Sequence, residues 1–450
     1  MWISDNQQGI SKSIFKEQYP FLADLLLDRS LESLAKEQGL FLFPTSWQEM
    51  PDLDKSEKLF ETVDHSLRTG NVIGFIGYQN DQLTIHSRFA QSDKEDYFLH
   101  YMLQKVLHLN ITNLETSFSL EQQFYQLFIC LFPSFLQAAL RKGLYKEYRR
   151  FHHHDANLKG ALDIARQLKT STPFEGKMAY STREFSFDNN LMQLVRHTIE
   201  YIKGHQLSRT SLLFQDKDRE NIETIIQATP RYQLADRTKI IYQNQVAPVR
   251  HAYYYEYGTL QKLCLLILKG TRHGVGERQQ QKIQGILFDV SWLWEEYLAQ
   301  LLGEEFHHPR NKSKSGSFSM FQGGIGRIYP DFVSLAKKVV ADAKYKPIDN
   351  IKGRDYLQLV AYMYRFDARK GFYLFPHSGK TEESKQYELL EGTGQRRNEP
   401  VVVEKLGLAI PQGVASFDEF CQQIERNEQV FLRSLLSKSR GEISEVMEET

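Results

Sequence analysis

The stretch IYPDFVSLAKKVVADAKYK, residues 328–346, carries two carboxylates and a lysine within two neighbouring apolar runs. In the second run Asp342 and Lys344 are two positions apart, so they point to the same face of a strand, where side chains alternate. If the two runs pair as a hairpin, Asp331 of the first run reaches the same place. Two carboxylates beside a lysine can hold Mg²⁺ and activate a water, so the stretch predicts a site for phosphodiester hydrolysis.

The elements predicted around this hairpin alternate between helices and strands. The apolar spacing predicts a helix before the hairpin and another directly after it. Together they give the order α-β-β-β-α-β, followed by a last helix, and they predict a mixed α/β (α+β) fold with a restriction-endonuclease-like core. The predicted segments are helix Phe288–Leu302, strand Phe318–Gln322, strands Ile328–Leu335 and Val339–Lys346, helix Asp355–Phe366, strands Gly371–Phe375 and Val401–Ile410, and helix Phe417–Ser437.

The predicted roles follow from charge. Asp331 and Asp342 would bind Mg²⁺ together with the backbone carbonyl of Ala343, and Lys344 would act beside the metal on the water and the phosphate. Glu295, on the preceding helix, is a candidate for an additional catalytic carboxylate and metal ligand, with a solvated helix glutamate as the alternative. Gln358, on the following helix, is a candidate for orienting water or phosphate, with an ordinary polar helix residue as the alternative.

The charge distribution favours a polyanionic substrate near the hairpin. The chain of 450 residues has a formal net charge of zero, so its overall charge does not indicate nucleic acid. Between residues 310 and 354, however, ten Lys or Arg face only three acids, two of which are the proposed ligands. A basic field around carboxylates suits DNA, although a solvated basic surface is the simpler alternative. The residues assigned to DNA binding are Arg310, Lys312, Lys314, Arg327 and Lys346.

The length predicts more than one domain. We expect a mixed α/β N-terminal domain that binds a partner (residues 1–140), a mainly helical middle region (141–280) and a nuclease domain (281–450). The basic segment 141–160, with His152, His153 and His154, is predicted to be a polar loop, because three adjacent histidines do not suit one metal ion. Three scattered cysteines, no signal peptide and no long apolar run predict a cytoplasmic protein.

Several blocks of the sequence resemble the McrC family, the nuclease subunits of McrBC-type modification-dependent restriction systems in the PD-(D/E)xK superfamily. LFDVSWLWEEYL resembles the family helix that carries the glutamate at Glu295, and RIYPDFVSL with VVADAKYKPI resembles its metal-binding hairpin. DYLQLVAYMYRF resembles the helix that follows, and NLKGALDIARQL resembles an upstream Gly-x-Leu/Ile-Asp region. The chain departs from the family in two places, at His86-Ser87-Arg88 instead of Pro-Lys and at Ala343 instead of a hydroxyl residue.

The resemblance implies a Mg²⁺-dependent endonuclease subunit that cleaves double-stranded DNA with methylated cytosine. It also implies a hexameric AAA+ GTPase partner, McrB, bound through the N-terminal domain; GTP would be bound by that partner, since this sequence has no GxxxxGK[ST] motif. Two alternatives stay open. One is a PD-(D/E)xK nuclease of another defence or repair system with an ATP-driven partner, and the other is a non-catalytic adaptor that stimulates the motor.

Overall fold

A computed structural model describes residues 1–37, 40–43, 58–91, 96–107, 120–170, 173–204, 216–270, 284–309, 317–379 and 384–440. The chain forms two compact units. Unit 1 contains residues 1–124 and 278–450, and unit 2 contains residues 125–277. None of the helices among the described residues is long and apolar enough to span a membrane.

The N-terminal part of unit 1 is a mixed α/β region. Three of its strands form a sheet in the order β1-β4-β3, and the other three belong to a four-stranded sheet. Apolar side chains of the first three helices pack with these strands into one core. The elements are β1 Ile10–Ser11, α1 Lys12–Gln18, α2 Pro20–Leu26, α3 Leu31–Glu37, β2 Phe41–Phe43, β3 Phe60–Val63, β4 Ser66–Thr69, β5 Val72–Tyr78, β6 Asp81–Ile85 and α4 Tyr97–Leu107.

Unit 2 combines helices with one three-stranded antiparallel sheet in the order β7-β9-β8. The segment predicted as a polar loop, 141–160, was interpreted wrongly, because Glu147–Asp155 forms a nine-residue strand that pairs along its whole length with Met178–Ser186. That long-range pairing overrides the polar composition. The elements are α5 Leu120–Leu140, which begins in unit 1, β7 Glu147–Asp155, β8 Ala161–Leu162, α6 Ile164–Thr170, β9 Met178–Ser186, α7 Asn190–Gly204, α8 Asp216–Ala228, α9 Arg237–Val246 and α10 Tyr255–Gly270.

The C-terminal part of unit 1 contains a five-stranded mixed sheet in the order β13-β14-β15-β19-β16. Strands β14, β15 and β19 are parallel, and the two edge strands β13 and β16 are antiparallel to their neighbours. The elements are β10 Gln284–Asp289, α11 Val290–Leu302, β11 Phe318–Ser319, β12 Arg327–Ile328, β13 Phe332–Ser334, β14 Val339–Ala343, α12 Arg354–Arg365, β15 Lys370–His377, β16 Ser384–Glu388, β17 Leu390–Glu391, β18 Gln395–Arg396, β19 Val402–Ala409 and α13 Phe417–Arg440.

Strand β10 connects the two parts of unit 1. It pairs in parallel with β2 and antiparallel with β5, so it lies inside the four-stranded sheet β2-β10-β5-β6. The predicted helix from Phe288 therefore begins two residues later, at Val290. Asp289 ends the strand and caps α11, because its carboxylate accepts hydrogen bonds from the amides of Ser291 and Trp292. The predicted three-domain division stays a prediction.

The predicted hairpin strand Ile328–Leu335 is interrupted. Residues 329–331 are not in a strand, and β12 on their N-terminal side pairs with β11 in a separate ribbon. Pro330 has no amide proton to donate to a ladder, and the Asp331 side chain bonds to the facing strand instead. Only Phe332–Ser334 pairs with Val339–Ala341 as predicted.

Helix α12 packs closely on the C-terminal sheet. Val340 of β14 and Tyr373 of β15 share an apolar cluster with Leu359, Tyr362 and other residues of the helix. A Cβ atom at Gly371 would lie 2.5 Å from the Met363 sulfur, so the helix reaches this distance only because residue 371 has no side chain. The mixed α/β fold class is confirmed, and the assignment of this sheet to the PD-(D/E)xK superfamily stays a prediction.

Candidate active site

Strand β14 carries the centre of the candidate site. Val340 packs against α12, and Asp342 lies two residues further along the same face, where it is almost completely buried. Lys344 continues the extended chain, since its amide donates to the carbonyl of Leu374 on β15. Its ammonium Nζ lies 2.6 Å from Asp342 Oδ2. The strand thus places a buried carboxylate and a lysine side by side, as the spacing of two predicted.

Asp331 is tied directly to this strand. It lies just before β13, and its carboxylate Oδ2 accepts a hydrogen bond of 2.8 Å from the amide of Ala343. The Asp331 carboxylate is therefore hydrogen-bonded to the residue that separates Asp342 from Lys344 on β14. The interrupted strand does not move Asp331 away from the site; it frees the side chain to reach across.

The electrostatics of the site indicate excess negative charge. Burial raises the pKa of Asp331 well above its usual range, and the nearby carboxylates of Glu295 and Asp342 raise it further, against the opposing effects of Lys344 and the Ala343 amide. Burial alone would lower the pKa of Lys344, but the Asp342 and Asp331 carboxylates outweigh it and raise that pKa. Lys344 is therefore held as a cation, whereas the ionised form of Asp331 is disfavoured unless further positive charge lies beside it.

Glu295 reaches the site from α11. The helix is fixed on the sheet by the indole of Trp294, which donates to the carbonyl of Leu374 at 3.1 Å. Glu295 contributes to the raised pKa of Asp331, so its carboxylate lies in the same electrostatic environment. The side chain is largely buried, at 14 % exposure, which does not fit the alternative of a solvated helix glutamate.

His308 is a member of the site that the sequence did not indicate. Its Nδ1 lies 2.8 Å from the backbone carbonyl of Asp331, so this nitrogen carries the proton and donates. Its Nε2 lies 3.8 Å from one carboxylate oxygen of Glu295 and one of Glu296. Burial opposes the charged form, but Glu296 and Glu295 outweigh it and raise the pKa of His308. No metal motif or strand periodicity marks this histidine, because its partners come from distant segments.

Helix α12 contributes Gln358 and Tyr362. The Gln358 amide donates to the Tyr362 hydroxyl at 2.7 Å, and that hydroxyl lies 3.3 Å from the carbonyl of Tyr329. Burial raises the pKa of Tyr362 to about 12, and the charges of Asp342 and Asp331 add to the effect. Gln358 therefore acts on the site through Tyr362, a residue that the sequence assigned to packing.

Asp355 was also missed. It lies in the first turn of α12, and its carboxylate is 2.6 Å from Lys346 Nζ and 3.9 Å from Lys344 Nζ. Lys346, assigned to DNA binding, is thus part of an ion pair and lines a cleft of about 350 Å³ with Arg88 and other residues. Arg327 is exposed, whereas Arg310, Lys312 and Lys314 lie outside the described residues.

The donor set fits a hard divalent cation. Proteins bind Mg²⁺ through carboxylates, and one or two carboxylates are enough because the ion keeps several of its waters. In the described part of the chain, no three or more His, Cys, Asp or Glu side chains form a ready metal cage, and this includes the His152–His154 tract. Asp331 and Asp342 match the open type of site, since a cation between them would offset the charge that raises the pKa of Asp331.

Comparisons with known proteins agree with the resemblance. The family model described as McrBC 5-methylcytosine restriction system component matches residues 67–376. No curated protein matches the chain. Two solved structures are similar to it at 16 % identity, both from Thermococcus gammatolerans.

The first of these structures is a refined half-complex from a tetradecameric assembly of McrB AAA+ hexamers with bound McrC. The match has a TM-score of 0.44 and covers 97 % of this chain and 99 % of that chain. The second is a cryo-EM structure of the McrBC complex, with a TM-score of 0.29 and coverage of 68 % and 87 %. The family match spans well over half of the chain and confirms the predicted relationship. The chain belongs to the family of McrBC 5-methylcytosine restriction system components.

Proposed function

We propose that this chain is the Mg²⁺-dependent endonuclease subunit of an McrBC-like restriction system and cleaves double-stranded DNA that carries methylated cytosine. The observation that carries the proposal is the convergence of Asp331, held by the Ala343 amide, on the buried pair of Asp342 and Lys344. Family membership supplies the biological setting, a system directed at 5-methylcytosine.

Each residue has a distinct task in this proposal. Asp331 and Asp342 hold the cation together with the carbonyl of Ala343, and Glu295 adds negative charge at the same place. Bound Mg²⁺ supplies a Lewis acid that makes a water nucleophilic and neutralises phosphate charge. Lys344, a cation paired with Asp342, stabilises the charge that develops on the phosphate.

Two further side chains position the catalytic ones. His308 donates to the backbone of Asp331, which orients the segment before β13. Gln358 donates to Tyr362, whose hydroxyl lies at the edge of the carboxylate pair. Both are positioning residues, and their substitution should reduce cleavage less than substitution of Asp331 or Asp342.

We also propose that the chain works with an McrB-like AAA+ GTPase bound through its N-terminal region. The family description names a component of a restriction system, and this sequence contains no Walker A motif, so a nucleotide-driven motor would be a separate chain. In the Thermococcus gammatolerans structure, McrC is bound to McrB AAA+ hexamers. Nucleotide binding and recognition of the modified base would then lie in the partner.

The test is reconstitution with the product of the neighbouring gene. The two proteins are co-purified and given methylated or unmethylated plasmid with Mg²⁺ and GTP or ATP. We expect cleavage of methylated plasmid only, dependent on the partner and on nucleotide hydrolysis. Cleavage by this chain alone would contradict the subunit role, and a requirement for ATP would favour the alternative of another defence system.

Variants of the site separate the nuclease from the adaptor alternative. Asp342→Ala is expected to abolish nicking and to leave stimulation of the partner's nucleotide hydrolysis intact. Asp367→Asn is the matched control, because Asp367 is an exposed carboxylate also paired with a lysine, Lys338. If Asp342→Ala still cuts DNA, the site assignment is wrong. If the wild-type pair never cuts but the motor is stimulated, the chain is an adaptor.

A further inference from the structure

The sheet of unit 2 has one face that differs sharply from the other. In β7 and β9, residues directly opposite each other share a face, and Tyr148 is opposite Phe185 while Arg150 is opposite Arg183. Lys146 lies two residues before Tyr148, at the same edge. We call this surface the Tyr148 face. All four paired side chains are exposed to solvent.

Aromatic rings and cations are interleaved on this face. Tyr148 is 60 % exposed and Phe185 55 %, and their ring centroids are 4.8 Å apart. The Arg183 guanidinium lies over the Tyr148 ring at 5.1 Å. Lys146 Nζ lies 5.6 Å from the Phe185 centroid and 4.3 Å from that of Phe187. Contiguous exposed apolar side chains rimmed by polar ones are a feature of interaction sites.

The carboxylates of both strands lie on the opposite face. All residues of β7 and β9 are described, and among them Glu147, Asp155 and Glu184 alternate away from the Tyr148 face. At the Tyr148 end of the sheet the opposite face does the packing, since Phe151 is buried under the Arg231 guanidinium at 4.3 Å; further along the Tyr148 face, Ser181 and Ala179 are buried as well. Packing of unit 2 therefore does not explain why the Tyr148 face holds arginines and open rings without a single acid.

We infer that the Tyr148 face binds single-stranded nucleic acid. Exposed rings stack on base faces of any sequence, and interleaved arginine and lysine pair with the phosphates between them. A duplex hides its base faces, so paired DNA can use only the cations. This inference does not rest on the proposed nuclease function, because the Tyr148 face belongs to unit 2 and the carboxylate site to unit 1.

The test is fluorescence anisotropy of the full chain with a labelled oligodeoxythymidylate of about 16 nucleotides, the upper range of one single-strand binding fold. EDTA is present, so nuclease activity plays no part. We expect Tyr148→Ala with Phe185→Ala to weaken binding by about tenfold or more, since each stacked base contributes substantially. Tyr242→Ala is the matched control, an aromatic residue of unit 2 with 66 % exposure on helix α9.

The cations are tested in the same assay by salt dependence. Arg183→Gln is expected to weaken binding and to reduce the slope of log affinity against log salt by about 0.7, the value for one phosphate contact on a single strand. The control Lys239→Gln removes an exposed cation of α9 and should leave affinity and slope unchanged. Because these side chains are exposed, all variants should melt at the wild-type temperature.

Three results would overturn the inference. The first is no oligonucleotide binding at low salt, or wild-type affinity in the ring variant. The second is a duplex of equal length that binds as tightly as the single strand and is indifferent to the ring substitutions. The third is a ring variant, Tyr148→Ala with Phe185→Ala, that keeps its oligonucleotide affinity but no longer binds an McrB-like motor. That result would make the Tyr148 face a protein interface.

Discussion

The contact between α12 and β15 gives a sharp test of how the site is held. In Gly371→Ala, the new methyl carbon would lie 2.5 Å from Met363 Sδ and 3.1 to 3.2 Å from two carbons of Leu359. The sulfur can retreat, but the buried leucine has little room, so the helix must shift. Overpacking of this kind costs about 1–3 kcal/mol of unfolding free energy.

A double-mutant cycle isolates the overlap. Met363→Ala alone opens a cavity and should cost about 2–5 kcal/mol. In the double variant the methyl at 371 enters the space that the methionine leaves, so the two costs should fall short of additivity by about 1 kcal/mol or more. Gly77→Ala on β5 is the control, because its new methyl carbon would lie at an ordinary contact distance of 3.5 Å from the Phe75 side chain of the same strand.

The assay is denaturant unfolding followed by tryptophan fluorescence. The sequence of unit 2, residues 125–277, contains no tryptophan, whereas Trp2, Trp292 and Trp294 lie in unit 1, so the signal does not report on unit 2. A Gly371→Ala variant as stable as the wild type, or costs that add within error in the double variant, would refute the reasoning. In that case α12 would not be in tight contact with β15, and the placement of Tyr362 beside the carboxylates would lose its support.

Three further predictions concern the metal, a buried carboxylate and pH. Mg²⁺ should raise the unfolding midpoint of unit 1, and Asp342→Asn should remove that increment; an equal increment in the variant would place the ion elsewhere. Glu428→Leu should cost about 2–5 kcal/mol of unit 1 stability, measured by tryptophan fluorescence, because the hydroxyls of Tyr101 and Tyr297 both donate to this buried carboxylate and would be left unpaired. Glu428→Gln, which keeps an acceptor, should cost less. Burial, reinforced by the charge of Arg237, lowers the pKa of His197 from 6.5 to about 4, so the unfolded state binds the proton more readily and the stability of unit 2 should fall as pH drops from 6.5 towards 4. The loss of stability is at most about 3 kcal/mol, at 1.36 kcal/mol per pKa unit. Hydrogen exchange of α7 at pH 7 and pH 5 measures this loss, and His197→Phe should remove the pH dependence.

The parts of the fold that depend on local pattern were predicted well. The strand predicted around Asp342 and Lys344 begins at the predicted residue, Val339. The helix predicted from Asp355 begins one residue earlier, at Arg354. Helix Phe417–Ser437 and strand Gly371–Phe375 are also confirmed, with somewhat longer observed limits. Side-chain periodicity and helix or strand propensity act over a few residues, so a single sequence contains them.

The sequence by itself determined which residues are candidates for the chemistry: two carboxylates, a lysine two positions after one of them, and a preceding helix glutamate. Tertiary structure alone decided what surrounds them. His308 and Asp355 join the site through contacts with distant segments, and β10 enters a sheet whose other strands are about 200 or more residues earlier in the chain. The histidine tract became a strand because β9 pairs with it. Such long-range pairings depend on free energies of the whole fold, and no local pattern records them.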